Sequence, residues 1–249
     1  FEQELMCAYY AQLDRQGPGS PESTLKALSY IDELGADTQI VDLGCGTGGQ
    51  TMVLAEHVQG QIKGFDIFPT FIERFNENAK TLHLHDRVLG IVGSMDKLPF
   101  KNKELDLIWS EGAIYNIGFK RGLKMWNRFL KDDGFIAVTE LSWLTDVRPA
   151  EIESYWLEAY AEIDTISNKQ KHMEEAGYQI VASFVLPENC WNTHYYEPQV
   201  RVQQDLLSKY KGNKTAEAFI LNERKEKALY DRFKSYYGYV FYIGKKVSY

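Results

Sequence analysis

The chain has 249 residues, with 28 Lys+Arg against 35 Asp+Glu and a formal net charge of −7. A hydrophobic fraction of 44% and a charged fraction of 25% exclude wholesale disorder. A chain this long buries enough surface to fold without a disulfide or metal staple. No apolar run approaches the roughly 18 residues of a membrane span, and the chain opens at Phe1 without a signal-peptide pattern. A pI near 5.4 lacks the basic footprint of a nucleic-acid binder. The three cysteines, Cys7, Cys45 and Cys190, are too few and scattered for a disulfide framework and suit a reducing, cytoplasmic compartment.

Short apolar runs alternate with helical patterns along the chain. Gln39 to Leu43 is an apolar run ending in glycines, the form of a buried parallel strand. A helix follows from Gly48 to Val58, then a second strand from Gln61 to Phe65. After Pro69, a favoured helix-start residue, Phe71, Ile72, Phe75, Ala79 and Leu82 recur at helical spacing. Arg87 to Val92 and Leu105 to Trp109 are the third and fourth strands. Leu123, Trp126 and Leu130 predict another helix, stopped by the turn Asp132-Asp133-Gly134, with a fifth strand from Phe135 to Leu141. Such alternation predicts right-handed crossovers and a mostly parallel sheet covered on both faces. Tyr178 to Leu186 and Tyr239 to Ile243 are the last strands. Between them, Gln199 to Tyr210 and Thr215 to Tyr236 are predicted helical. Eight Lys/Arg and four Asp/Glu between Lys209 and Lys234 read as a solvated helix face.

The sharpest local signal is the run Val41-Asp42-Leu43-Gly44-Cys45-Gly46-Thr47-Gly48-Gly49 between a strand and a helix. Glycines permit the tight turn and the close approach of backbone N–H groups to a ligand, and the helix start offers a positive dipole end. Asp66 ends the second strand, where a carboxylate can accept from both ribose hydroxyls of a nucleoside. Two cofactor readings fit. Gly44, Gly46 and Gly49 satisfy the GxGxxG spacing of NAD-binding proteins, whereas Asp42, Gly44, Gly46 and Gly48 satisfy the shorter DxGxGxG loop.

The run DLGCGTGG, followed by GFDIF, resembles the class I S-adenosylmethionine-dependent methyltransferases. GSMDKLPF (Gly93 to Phe100), LDLIWSEGAIYNIG and KDDGFIAVTEL resemble further segments of that family at matching distances. The resemblance covers residues 37–145 and is to the small-molecule branch that includes quinone-biosynthesis enzymes. It implies a three-layer, Rossmann-like α/β fold, with a seven-stranded, mostly parallel sheet, an antiparallel last strand and helices on both faces. It also implies one methyltransferase domain. Residues 1–36 would be an N-terminal helical lid segment, 37–186 the cofactor-binding core, 187–238 a helical insert and 239–249 the last strand.

Carried over by residue, Asp42, Gly44, Cys45 and Gly46 belong to the cofactor loop, with Gly44 and Gly46 facing the methionine part of S-adenosylmethionine. Asp66 would bind the ribose and Ile67 would pack on the adenine. Ser94, Met95 and Asp96 form the adenine end, Asp96 accepting from the exocyclic amine. Glu111 or Ser110 would lie near the methionine moiety. Read from its own residues, the stretch Arg15-Gln16-Gly17-Pro18-Gly19-Ser20 either folds over the cofactor, where the Arg15 guanidinium suits its carboxylate, or is an exposed turn before a helix.

Candidates for a general base are Glu111 and Glu140, near the carboxyl ends of the fourth and fifth strands, and His194, in an aromatic cluster. Tyr9, Tyr10, Tyr115, Trp143, Trp156, Trp191 and Tyr195 are candidates for an acceptor pocket. His83 and His85 form an HxH pair with no second cluster, and a helix end rather than a metal site is expected there. Ser110-Glu111-Gly112-Ala113 departs from the Asn/Asp-Pro-Pro-Tyr/Phe pattern of amino-methylating nucleic-acid enzymes. The expectation is therefore methyl transfer from S-adenosylmethionine to a small-molecule acceptor, without nucleic acid, membrane span or metal, in a chain compatible with a homodimer. The alternatives are an NAD(P)-linked oxidoreductase and a catalytically silent S-adenosylmethionine-binding module.

Overall fold

A computed structural model of the chain describes residues 1–32 and 34–248; Glu33, in the expected lid segment, and Tyr249, at the end of the expected last strand, lie outside the described residues. Two short helices, α1 (Glu2–Tyr10) and α2 (Pro21–Leu28), precede β1 (Gln39–Leu43), α3 (Gly49–His57), β2 (Gln61–Asp66), α4 (Pro69–Thr81) and β3 (Val88–Val92). The chain continues through β4 (Leu105–Glu111), α5 (Phe119–Asn127), β5 (Leu130–Trp143), α6 (Ala150–Ala159), β6 (Asp164–Thr165), α7 (Ile166–Glu175) and β7 (Tyr178–Val185). It closes with α8 (Glu197–Lys209), α9 (Lys214–Phe233) and β8 (Tyr237–Lys246).

The sheet order is β3-β2-β1-β4-β5-β8-β7, with the two-residue β6 paired to β5 outside that path. β1 pairs in parallel with both β2 and β4, and β8 runs antiparallel to both β5 and β7. The expected seven-stranded path with an antiparallel last strand is therefore present, and β6 adds a short eighth member. Chain direction places the reversal of strand order between β1 and β4, where open α/β sheets leave a crevice at their carboxyl ends.

Period-two alternation sends successive residues to opposite faces. Ile40, Leu107, Trp109, Ala137 and Phe241 join one buried cluster, whereas Val41, Ile108, Val138 and Tyr242 join the other. The first face is covered in part by Ile72, Phe75 and Ala79 of α4; the second by Phe119, Leu123 and Trp126 of α5. A third cluster joins Leu5, Tyr9 and Leu13 to Val202, Leu206, Ala216 and Ile220, so α1, α8 and α9 pack together.

One helix prediction is corrected. α5 ends at Asn127, and Leu130 opens β5, paired with Leu105. Its apolar side chain continued the helical spacing, but the strand ladder takes it. His83 lies just past α4 with φ of 57°, a left-handed residue at a helix end.

Candidate cofactor and acceptor site

The glycine loop leaves β1 with Gly44, Gly46 and Gly48 at φ of 71°, 56° and 89°, a region that side chains with a Cβ rarely adopt. Space is also closed: a Cβ on Gly44 would meet that of Ala113, and one on Gly46 would meet the Gln16 side chain. Gln16 is bonded into the loop, its Oε1 accepting from the Thr47 N–H at 3.1 Å and its Nε2 donating to Thr47 Oγ1 at 3.0 Å. The segment after α1 thus lies over the loop.

Asp66 ends β2 beside this loop. One carboxylate oxygen accepts from the Gly46 N–H at 3.0 Å and the other from the Phe68 N–H at 3.1 Å. Burial raises its pKa, opposed by those backbone bonds. After β3, Ser94 donates to Asp96 Oδ1 at 2.5 Å and Arg121 lies 3.6 Å from Asp96 Oδ2. The Ser94 bond holds the exposed Asp96 carboxyl below its usual range. Trp126 donates its indole N–H to the Met95 carbonyl at 2.8 Å, which ties this loop to buried α5.

These residues line one cavity of about 860 Å³. Gly44, Gly46, Asp66, Ile67, Ser94, Met95 and Asp96 border one part, and Arg15, Gln16 and Glu111 its middle wall. The rest is a chamber of Tyr10, Tyr115, Trp156, Tyr160, Trp191, Tyr195, Tyr196, Tyr237 and Tyr239, with Glu223 and Glu226 of α9. The structure therefore brings together the N-terminal segment, the ends of β1, β2 and β4, the loop after β3, and α9.

Several sequence-based site expectations are corrected. Asp42 and Cys45 do not line the cavity. Asp42 is fully buried behind the loop, accepting from Thr51 Oγ1 at 2.6 Å and Gln50 Nε2 at 3.1 Å, and burial pushes its pKa up to about 7. Cys45 is buried with its thiol directed at the Gly46 carbonyl.

Glu140 is not available as a base. It is buried, 2.7 Å from Lys169 Nζ, and accepts from the Tyr160 hydroxyl at 2.5 Å. His194 lies outside the cavity lining, 3.9 Å from Glu22, because the π-helical turn Asn192–Tyr196 buries Tyr195 and Tyr196 instead. Glu111 does border the cavity, but its oxygens accept from Arg15 at 2.9 Å, Thr24 at 2.8 Å and Trp109 at 2.9 Å. A carboxylate so engaged is a fixed negative wall rather than a free base. Arg15, expected to meet a ligand carboxylate, lines the cavity with Nη1 on Glu111 and Nη2 on Thr24 at 3.0 Å. Among the aromatic candidates, Tyr10, Tyr115, Trp156, Trp191 and Tyr195 line the chamber, whereas Tyr9 and Trp143 are core residues outside it.

Sequence reasoning missed Glu223 and Glu226 by treating the charges of α9 as a solvated face. Ala216, Ile220, Glu223 and Tyr230 form the buried side of that helix. A carboxylate at the 223 position of this stripe was the available signal.

Residues 40–134 match a family model described as a methyltransferase domain. The sarcosine/dimethylglycine N-methyltransferase of Aphanothece halophytica is 31% identical over 106 residues, 42% of this chain and 38% of that protein. The chain thus spans well under two thirds of the length of that curated relative. A methyltransferase from Geobacter sulfurreducens, in complex with S-adenosyl-L-homocysteine, superposes with a TM-score of 0.84 at 18% identity over 98% of both chains. One from Thiobacillus denitrificans, with the same ligand, gives 0.83 at 18% over 96% of both. Residues 40–134 thus carry a methyltransferase-domain match, and the chain as a whole has the fold of these S-adenosylhomocysteine-bound methyltransferases.

Proposed function

We propose that the protein transfers the methyl group of S-adenosylmethionine to a small-molecule acceptor. The observation that carries this reading is the continuity of one cavity from the glycine loop, Asp66 and Asp96 into the aromatic chamber. A cofactor bound along the first part would present its reactive group to an acceptor in the second.

The residues fit that cofactor. The left-handed loop is a cradle that a Cβ at Gly44 or Gly46 would fill, Asp66 is an acceptor for ribose hydroxyls, and Ile67 is an apolar surface for adenine. Asp96 is an acceptor for the adenine amine. Arg15 is the cation beside the loop suited to a carboxylate, with Glu111 positioning it. A sulfonium supplies an activated methyl group, so the protein's task is binding, orientation and exclusion of water. Roofing by Tyr10, Arg15 and Gln16 supports that exclusion. The chamber, lined by side chains at close quarters, supports a compact metabolite rather than a duplex.

The test is titration with S-adenosylhomocysteine followed by transfer of labelled methyl from S-adenosylmethionine to a panel of small acceptors. Binding and label transfer support the reading. Binding without turnover across the panel favours a silent binding module.

A further inference from the structure

We propose that the acceptor is an amine, seated as its cation among the chamber's aromatic rings and against Glu226, and methylated on nitrogen. This rests on the reading of the cavity as a methyltransferase site and deepens it.

The charge inventory points this way. Among the described residues lining the cavity, the one cation is Arg15, already paired with Glu111 at 2.9 Å. Two carboxylates face the chamber one helical turn apart, Glu223 and Glu226. Glu223 accepts from Tyr10 at 2.6 Å, whereas Glu226 has neither a hydrogen bond nor an ion pair among the described residues. Holding a half-buried, uncompensated carboxylate among aromatic side chains is costly, and a bound cation would offset that cost. An anionic acceptor would meet like charge.

The walls have matching chemistry. Trp191 stacks on Tyr230 at 4.3 Å between ring centroids and lies 5.3 Å from the Tyr239 ring, and Trp156 packs 5.2 Å from Tyr237. Electron-rich faces so grouped attract an ammonium, with Trp the strongest partner.

The groups facing Glu226 are accounted for from each element. Glu223 shares its helix; Tyr155 comes from α6, Tyr115 from the turn after β4, Tyr195 and Tyr196 from the π-helical turn, and Tyr237 and Tyr239 from β8. Tyr10 of α1 faces Glu223. Lys225 and Lys227 turn their ammonium groups over the Tyr155 and Tyr196 rings, 5.9 and 6.0 Å from the centroids. Burial, then the charge of Glu223, pushes the Glu226 carboxyl up to about 7, a range suited to accepting a proton near neutrality. Desolvation by the apolar walls opposes the charged form of the bound amine, which favours release of that proton.

The bound ammonium gives one proton to the Glu226 carboxylate. Its freed lone pair forms the N–CH3 bond as the methyl–sulfonium bond breaks, the bonding electrons remaining on sulfur. The product is a methylated ammonium, and Glu226 returns its proton to solvent.

The experiment uses the full chain saturated with S-adenosylhomocysteine and three matched probes: 2-phenylethylamine, 2-phenylethanol and phenylacetate. Calorimetry at neutral pH is expected to give tighter binding of the amine than of the alcohol by about tenfold, the difference worth about 1.4 kcal/mol. Phenylacetate should bind least. Glu226→Gln, with an unchanged melting curve, should abolish the preference, and so should lowering the pH below about 7 in the wild type. Glu223→Gln serves as the second variant if Glu226→Gln melts early. Equal binding of alcohol and amine, no binding of the amine at millimolar concentration, or a preference that survives both substitutions overturns the inference alone. Failure of S-adenosylhomocysteine to bind overturns it together with the reading beneath it.

Discussion

The Tyr10 hydroxyl donates to Glu223 Oε2 at 2.6 Å across 213 positions of sequence. This bond joins α1 to α9, so the two segments that roof the cavity hold each other. Hydrogen bonds to charged groups contribute about 1.5–3 kcal/mol, and Tyr10→Phe removes the donor while leaving the ring. The expected outcome is a fall in melting temperature of a few degrees, with about 2–4 °C per kcal/mol for a chain of this size. A melting curve identical to wild type would remove the bond from the account of how the roof closes.

Asp66 is the proposed cofactor residue whose replacement should be read most simply. Asp66→Ala deletes a carboxylate that accepts from Gly46 and Phe68 and that we propose turns to the ribose. Affinity for S-adenosylhomocysteine should fall by roughly 1.5–3 kcal/mol, about ten- to a hundredfold, by calorimetry. Wild-type affinity in that variant would take Asp66 out of the binding site.

Glu140 and Lys169, 2.7 Å apart with side chains 1% exposed, form a buried pair whose partners cannot be removed singly without cost. Lys169→Met leaves Glu140 uncompensated and should destabilise the protein by about 3–5 kcal/mol in chemical denaturation. Lys169→Met combined with Glu140→Leu should recover a large part of that loss. If each single variant is as stable as wild type, the pair is not a structural unit.

Asp42 gives a pH prediction with a definite sign. Burial raises its folded pKa from 3.8 to about 7, so the folded state holds a proton that the unfolded chain has released. Stability from this group is full below the unfolded value and is lost as pH rises through about 7. Asp42→Asn cannot ionise. Its unfolding free energy relative to wild type should therefore increase from about pH 4 to about pH 8, measured by denaturant titration. A constant difference across that window would show that Asp42 keeps an ordinary carboxyl pKa.

The proposed cofactor half was legible in the sequence because its residues sit at strand ends close to one local pattern. A short apolar strand, three glycines and an acid at the next strand end place Gly44, Gly46 and Asp66 together by topology alone. The acceptor half depends on contacts far apart in sequence. Glu223 and Glu226 are hidden in a run of mixed charge, and only the packing of α9 against α1 and α8 turns them inward. His194 misled for the converse reason: its neighbours Trp191, Tyr195 and Tyr196 enter the chamber, while the π-helical turn leaves the imidazole outside. Glu140 had the right strand position but the wrong face, where Lys169 neutralises it. Leu130 followed helical spacing, yet the β4 ladder claimed it.

We propose that the cavity between the glycine loop and Asp96 holds S-adenosylmethionine. The most direct test is the thermal shift of dialysed protein with S-adenosylhomocysteine, NADH or NADPH in large excess. A ligand at about 100 times its dissociation constant adds roughly 2.7 kcal/mol, or about 5–10 °C here. The account predicts that shift with S-adenosylhomocysteine and none with either nicotinamide. A shift with NADH or NADPH alone would contradict it.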